Sequence, residues 1–355
     1  MNIKGFLFGS AAALVAVTGA RAADAIVVAE PEPVEYVRVC DAYGKGFFYI
    51  PGTETCLKIG GYLRYDASAG DDVYNGGDRD TWNKHLRTEI RFDARSETEL
   101  GTLRSYIQTR FEYTDGVNSG GSIPQAFIEL GGFRIGVADE IFGSWTNYAG
   151  DIVNDDVINY NSWASNQVSY TYAAGNGISA IIAAEQGSVN EGYSDYVIDD
   201  YLPHLMAGVK FEQGWGGVSA IGGYDSNVEE FAGKLRFDLK FTDTFSAFLM
   251  GGYQSGYDDS RVKRNFLAPW HGDWAAWGGL AAKVSDKATI NGLIGYESEG
   301  TIAAALNVGY EIVPGFVITP ELNYTKFDGD RKADSIAHGG SDDAFGGTLR
   351  FQRNF

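Results

Sequence analysis

Short runs in which apolar and polar residues alternate extend along almost the whole chain. Successive side chains of a β-strand point to opposite faces, so each run predicts a strand with one apolar and one polar face. The runs number sixteen: 57–65, 86–95, 103–113, 125–130, 133–137, 167–172, 178–185, 205–212, 218–224, 231–239, 245–254, 274–283, 288–297, 302–310, 316–324 and 343–355. An even number of strands of about 10 residues, with short turns at one end and long loops at the other, is typical of outer-membrane barrels.

The alternative all-β folds are a sandwich and a propeller. A propeller repeats a motif for each blade, about every 40 residues, and the sequence carries none. After the N-terminus, no apolar run reaches the roughly 20 residues that a transmembrane helix needs. The prediction is therefore an all-β fold, a 16-stranded antiparallel transmembrane β-barrel of the outer-membrane type.

The first 22 residues have the form of a secretory signal peptide. Lys4 precedes an apolar stretch, residues 5–17, and Ala20-Arg21-Ala22 supplies an A-x-A cleavage site. We expect three regions: the signal peptide 1–22, an N-terminal segment 23–56 and the barrel 57–355. An even number of strands places both chain ends on the side of the short turns, which predicts a periplasmic position for the N-terminal segment.

Cys40 and Cys56 are the only two cysteines. An exported protein passes into an oxidising compartment, so an even pair predicts one disulfide that closes the loop between them. Two free thiols are the alternative. A redox motif would need closer spacing, as in C-x-x-C.

The longest interruption of the strand pattern is residues 139–165, here called the acidic segment. It contains five acids and no Lys, Arg or His. Strand counting places it between the fifth and sixth strands, as the third long loop. Asp151, Asp155 and Asp156 are the predicted pore-lining acids, because Asp139 and Glu140 sit at the root of the loop. The alternative role for Asp155-Asp156 is a helix N-cap or a solvated loop.

The opposite charge is concentrated on predicted strands one to three and sixteen. Their polar faces carry eight cations: Lys58, Arg64, Arg87, Arg91, Arg95, Arg104, Arg110 and Arg350. We call five of them the basic wall and predict that they line the pore: Arg64, Arg87, Arg91, Arg110 and Arg350. The alternative is that these arginines only neutralise acids of the same face, such as Glu89 and Glu112. Fixed charges in a pore set ion selectivity. Its sign stays open, because the net charge of −19 favours cations and the basic wall favours anions.

Other functions lack their signatures. An acidic chain does not suit nucleic acid, which is bound through its phosphates. The four histidines, His85, His204, His271 and His338, have no G-x-S-x-G or H-E-x-x-H context, so we expect no enzyme, metal or cofactor. Adjacent aspartates recur in the loops, but without the D-x-D-x-D-G pattern of a calcium loop. A substrate-specific channel, selective for sugars or anions, remains the alternative to a general pore.

Four stretches resemble the alphaproteobacterial porins of the Brucella and rhizobial type. They are VEYVRVCDAYGKGFFYIPGTETCLKIGGYLRYD (34–66), SETELGTL (96–103), GDIVNDDVI (150–158) and GGTLRFQRNF (346–355). The resemblance implies a homotrimeric general porin in the outer membrane, with the third long loop folded into the lumen. It also implies passive passage of small hydrophilic solutes and ions, and contact with outer-membrane lipid and lipopolysaccharide. Composition and spacing establish neither the trimer nor the inward fold.

Overall fold

The computed structural model describes residues 37–189, 196–257 and 264–355. The predicted signal peptide and residues 23–36 of the predicted N-terminal segment lie outside the described residues. No helix among the described residues is long and apolar enough to cross a membrane.

One two-residue strand, β1 (Phe48–Tyr49), precedes sixteen longer strands. In chain order they are β2 (Cys56–Gly70), β3 (Asn83–Thr98), β4 (Gly101–Thr114), β5 (Val117–Leu130), β6 (Phe133–Ala138), β7 (Ser165–Ala173), β8 (Ile178–Glu185), β9 (His204–Gln213), β10 (Gly216–Asp225), β11 (Glu230–Lys240), β12 (Phe245–Gln254), β13 (Trp274–Lys283), β14 (Ala288–Glu297), β15 (Ile302–Val313), β16 (Phe316–Lys326) and β17 (Asp343–Asn354). Each predicted run overlaps one of these sixteen.

The sixteen strands form a closed antiparallel barrel. Every strand from β2 to β16 pairs with the next along the chain, and β17 pairs with β2 from Gly346↔Gly70 to Asn354↔Tyr62. Closure leaves no unpaired sheet edge. The predicted fold class is therefore confirmed.

The two faces of the sheet differ as the alternation requires. Along β9, His204 and Met206 are buried whereas Leu205 and Val209 are exposed. On other strands, Leu249 is 62% exposed and Ile182 also 62%. Large apolar side chains therefore cover the outer face, whereas the inner face carries polar and small side chains together with some buried apolar ones such as Met206. This is the arrangement of a barrel whose outer surface contacts lipid.

The connection between β4 and β5 is much shorter than the strand pattern suggested. The predicted fourth strand begins at residue 125, but β5 begins at Val117, and only Asp115 and Gly116 join it to β4. Both have positive φ, 48° and 91°. Two such residues form the tight hairpin turn for which Asp-Gly is a recognised signal.

Two helices lie in long connections: α1 (Ile141–Ser144) and α2 (Gly329–Ala337). The second lies in the connection between β16 and β17. Asp328 caps α2, because its carboxylate accepts a hydrogen bond from the Gly329 N–H at 2.9 Å. A nine-residue helix gives too short a periodic signal to stand out among the strands.

The predicted disulfide between Cys40 and Cys56 is present. It joins the N-terminal segment to the first residue of β2, beside a buried Phe47. The Tyr43 hydroxyl donates a 2.7 Å hydrogen bond to Glu97 on β3, next to the short β3–β4 turn. The described part of the N-terminal segment therefore lies at the end of the barrel that carries the short turns.

Candidate functional site

The bore contains a cavity of about 1190 Å³. Its lining includes all five residues of the basic wall and all three predicted acids, Asp151, Asp155 and Asp156. The structure thus brings together the five arginines and three aspartates that the sequence predicted to line the pore. Lys58, Arg95 and Arg104 do not line this cavity.

Strand register determines which arginines of the basic wall meet an acid. Arg87 lies directly opposite Glu112, and Nε donates to the carboxylate at 2.5 Å. Arg350 lies opposite Asp66 and makes two hydrogen bonds to it, each 2.8 Å. Directly opposed residues in antiparallel strands are close enough to interact. Two of the five arginines are therefore neutralised by cross-strand partners of their own.

Two further arginines share one acid. Arg110, opposite Glu89, binds its carboxylate at 2.9 Å, and Arg91 binds the same carboxylate from two residues along β3. The Glu89 side chain is buried, and the Tyr62 hydroxyl also donates to it at 3.1 Å. The group of two guanidiniums and one carboxylate retains one net positive charge.

Arg64 differs from the other four. Its Nε donates to the Gln352 amide oxygen at 2.8 Å, and its guanidinium lies 4.6 Å from the centre of the Tyr62 ring. Among the described residues, no acid forms an ion pair with it. The basic wall therefore contains one guanidinium that is held in place by neutral groups.

The root of the acidic segment is closed by Glu140. Its carboxylate caps α1 by accepting from the Gly143 N–H at 2.8 Å and accepts from the Ser162 N–H at 3.1 Å. One side chain thus joins the beginning and the end of the segment. Burial raises the pKa of the Glu140 carboxyl to about 7, although the charge of Lys234 acts in the opposite direction.

The tip of the segment is attached to Glu321 on β16. This buried carboxylate accepts from the backbone N–H groups of Val153 and Asn154 at 2.6 and 2.9 Å. It also accepts from the side-chain amides of Asn154, Asn307 and Asn323 at 3.0, 2.8 and 2.9 Å. Five donors around one carboxylate satisfy its charge and fix the position of the tip.

The remainder of the segment packs on other strands. Its apolar residues, among them Phe142 and Ile158, belong to one buried cluster with Phe248, Met250 and Trp277 of β12 and β13. The Trp277 indole donates to the Ile158 carbonyl at 2.9 Å. Both the apolar and the polar contacts therefore hold the segment against residues of β12, β13 and β16.

Two outer connections contribute to the same assembly. Arg331 on α2 donates to the carbonyl oxygens of Val157 and Tyr74, at 2.7 and 3.1 Å, and its guanidinium is 3.2 Å from Glu297. The Tyr74 hydroxyl donates to Asp156 at 2.8 Å. The connections that follow β2 and β16 thus reach the acidic segment.

The three acids have no cationic partner among the described residues. Asp151 is exposed, Asp155 accepts a short hydrogen bond from the Tyr160 hydroxyl, and Asp156 accepts from Tyr74. Burial, followed by the charge of Asp156, raises the pKa of the Asp155 carboxyl to about 7. Within the described residues no ion pair therefore offsets these carboxylates, and the raised pKa of Asp155 brings its titration near neutral pH.

Sequence reasoning missed Glu321, Tyr74 and Arg331, which hold the acidic segment in place. Glu321 directly follows Pro320 in β16. Proline is unusual inside a strand, so the local pattern did not single out Glu321 as a buried carboxylate. The partners of all three lie far away in the sequence, and no local pattern predicts them. Within the described residues, no group of three His, Cys, Asp or Glu side chains is arranged to hold a metal ion.

A closed sixteen-stranded barrel with an apolar exterior and a charged bore places this protein in the class of membrane channels. The family model described as the porin subfamily matches residues 24–347. Porin Omp2a of Brucella melitensis biotype 1 is 48% identical over 376 residues, and porin Omp2b of Brucella suis biovar 1 is 49% identical over 370 residues. In both comparisons 100% of this chain and 100% of the relative are covered.

Two solved structures are similar in fold. The outer membrane channel DcaP of Acinetobacter baumannii gives a TM-score of 0.64 at 16% identity, over 86% of this chain and 99% of that one. A triple mutant of Rhodopseudomonas blastica porin gives a TM-score of 0.60 at 12% identity, over 84% of this chain and 100% of that one.

The chain belongs to the porin subfamily. It is a general porin, a β-barrel that crosses the outer membrane many times and forms a channel for small solutes. The resemblance noted in the sequence is therefore confirmed.

Proposed function

We propose that the acidic segment lies across the bore as its narrowest part and gives this porin a weak preference for cations. Support comes from the attachment of the tip to Glu321 and from the cavity that the tip shares with the basic wall. A loop held by buried contacts at root and tip keeps its charges at a fixed position, which is what a selectivity device requires.

One observation carries the sign of the preference. Four of the five arginines in the basic wall are ion-paired, whereas none of the three acids has a cationic partner among the described residues. Ion pairing cancels much of the field of the basic wall, and the field of the acids remains. A cavity with low-dielectric walls concentrates such a field and enriches counter-ions.

Several features of the working channel belong to this proposal. The channel acts by passive diffusion of small hydrophilic solutes and ions, without catalysis. It assembles as a homotrimer in contact with outer-membrane lipid and lipopolysaccharide. The end of the barrel with the short turns and the disulfide faces the periplasm, which follows from the even strand number and the position of Cys40–Cys56.

Zero-current potentials in planar bilayers across a KCl gradient test the sign. The wild-type channel is expected to favour K⁺. The triple variant Asp151→Asn, Asp155→Asn, Asp156→Asn should bring the permeability ratio close to that of free diffusion. Asp330→Asn is the matched control, because Asp330 is an exposed carboxylate on α2 that does not line the cavity.

An unchanged potential in the triple variant would remove the acids from the selectivity mechanism. Insertion in steps of three equal conductances supports the trimer. Liposome swelling with sugars of graded size separates the alternatives, because a general pore discriminates by size and a substrate-specific channel by identity.

A further inference from the structure

The basic wall contains a pair of arginines that face each other directly. Arg64 on β2 and Arg87 on β3 are opposed in the strand register. Like charges directly opposite in neighbouring strands are destabilising. Both residues line the 1190 Å³ cavity, as does Arg350 on the other neighbour of β2.

The same barrel shows how an opposed arginine pair is neutralised elsewhere. Arg95 and Arg104 are also directly opposite each other, on β3 and β4. Both bind the carboxylate of Asp93: Arg95 at 2.8 and 2.7 Å, and Arg104 at 3.0 Å to each oxygen. A single carboxylate between two guanidinium groups, with each arginine bidentate, is a strong and geometrically specific arrangement.

Arg64 and Arg87 have no shared carboxylate among the described residues. Arg87 uses Nε for Glu112, and Arg64 uses Nε for Gln352. Asp66, two residues along β2 from Arg64, is engaged by two nitrogens of Arg350. Three guanidinium groups therefore lie around β2 with two acids between them, and one positive charge is left over.

We propose that Arg64 and Arg87 form a binding subsite for the oxyanion group of a solute, a carboxylate or a phosphate. The oxyanion takes the role that Asp93 has between Arg95 and Arg104, and bidentate contact with a guanidinium suits either chemistry. Arg350 and Tyr62 complete the walls of the subsite. The inference rests on the proposed role of the bore as the route for solutes.

Such a subsite is compatible with a preference for small cations. Monovalent ions respond to the net field of the cavity, in which the acids dominate. An organic anion that replaces the missing carboxylate gains directed hydrogen bonds in addition, and it stays longer in the bore than chloride does.

The test is the K⁺ current through single channels in KCl with added inorganic phosphate or succinate at constant ionic strength. Either anion should reduce the wild-type current with a saturable dependence on concentration. Arg64→Gln should raise the half-effect concentration at least about tenfold, since hydrogen bonds to charged groups are lost. The anion that acts at the lower concentration identifies the preferred chemistry.

Two further variants separate the subsite from general electrostatics. Lys287→Gln removes one positive charge from the same cavity, away from the arginine pair, and should leave the half-effect concentration unchanged. Gln352→Glu places a carboxylate 2.8 Å from the Arg64 guanidinium and should abolish the phosphate and succinate effects while all arginines remain.

Equal shifts in Arg64→Gln and Lys287→Gln would overturn the subsite, and so would a wild-type current that neither anion reduces. In both results the channel still conducts K⁺, so the proposed function would stand. Loss of all conductance in KCl alone would instead contradict the proposed function.

Discussion

The hydrogen bonds from the tip of the acidic segment to Glu321 make a quantitative prediction. Glu321→Ala removes the acceptor for the backbone N–H groups of Val153 and Asn154. Asn307 keeps a contact with the segment, because its side-chain amide donates to the Asp151 carbonyl at 2.8 Å. The variant therefore weakens the attachment of the tip without removing it.

The magnitude follows from the number of lost bonds. A hydrogen bond to a charged group contributes about 1.5–3 kcal/mol, so two backbone donors account for about 3–6 kcal/mol. A change of 1.4 kcal/mol is a factor of ten in an equilibrium, so the detached tip should become about 10² to 10⁴ times more populated. The barrel itself should stay closed, since no backbone bond between strands is altered.

Single-channel recording measures this directly. A tip that detaches intermittently should produce open-channel current noise and a wider spread of conductance, and the preference for K⁺ should fall. Glu311→Ala is the matched control: Glu311 lines the same cavity and carries the same charge, but it accepts from Gly315 at the β15–β16 turn. Heat-dependent migration in gel electrophoresis confirms that both variants fold.

Equal noise in the two variants would contradict a role for the Glu321 hydrogen bonds, because the effect would then come from charge alone. A quiet Glu321→Ala channel with wild-type selectivity would show that the apolar cluster around Trp277 holds the segment by itself.

Three further predictions use other parts of the molecule. Asp155 has a pKa raised to about 7, so its charge is lost as the pH falls from 8 to 6, and the preference for K⁺ should decline over that range. Asp155→Asn should remove this pH dependence of the K⁺ preference. An unchanged pH dependence in that variant would assign it to another titrating group. Reduction of Cys40–Cys56 should speed proteolysis of the N-terminal segment, because a disulfide closing a loop of this size stabilises by about 3 kcal/mol; an unchanged rate of proteolysis would show that the buried contacts of Phe47 hold the segment by themselves. Arg331→Ala removes the hydrogen bonds to Val157 and Tyr74 and should increase current noise. The control is Lys332→Ala, which should not increase the noise, because the ammonium of Lys332 lies 3.6 Å from Asp342 and not against the acidic segment. Equal noise in both variants would show that α2 acts only through its surface charge.

The strands, and the position of the acidic segment in the order of the connections, were predictable because each depends on local pattern. Alternation fixes which face a residue takes, and counting strands fixes the order of the connections. Leu205 and Met206 show this directly, one exposed and one buried. The same logic predicts that every arginine of the basic wall faces the bore.

Ion pairing within the wall was not predictable, because it depends on register between strands. Whether Arg87 meets Glu112 or another residue changes with a shift of one position. The register shows that Arg64 is the member without an acid, although its sequence surroundings resemble those of Arg91. The short Asp115-Gly116 turn was visible in the sequence, but the weak alternation of residues 117–124 obscured it.

The attachment of the tip to Glu321 also constrains the order in which the protein folds. Val153 and Glu321 are 168 residues apart, and Glu321 lies on the penultimate strand of the barrel. A contact of such long range forms only after the intervening chain has been ordered. We therefore expect the barrel to pass through a stage in which the tip of the acidic segment is still free, and the attachment to be completed only when the last strands join.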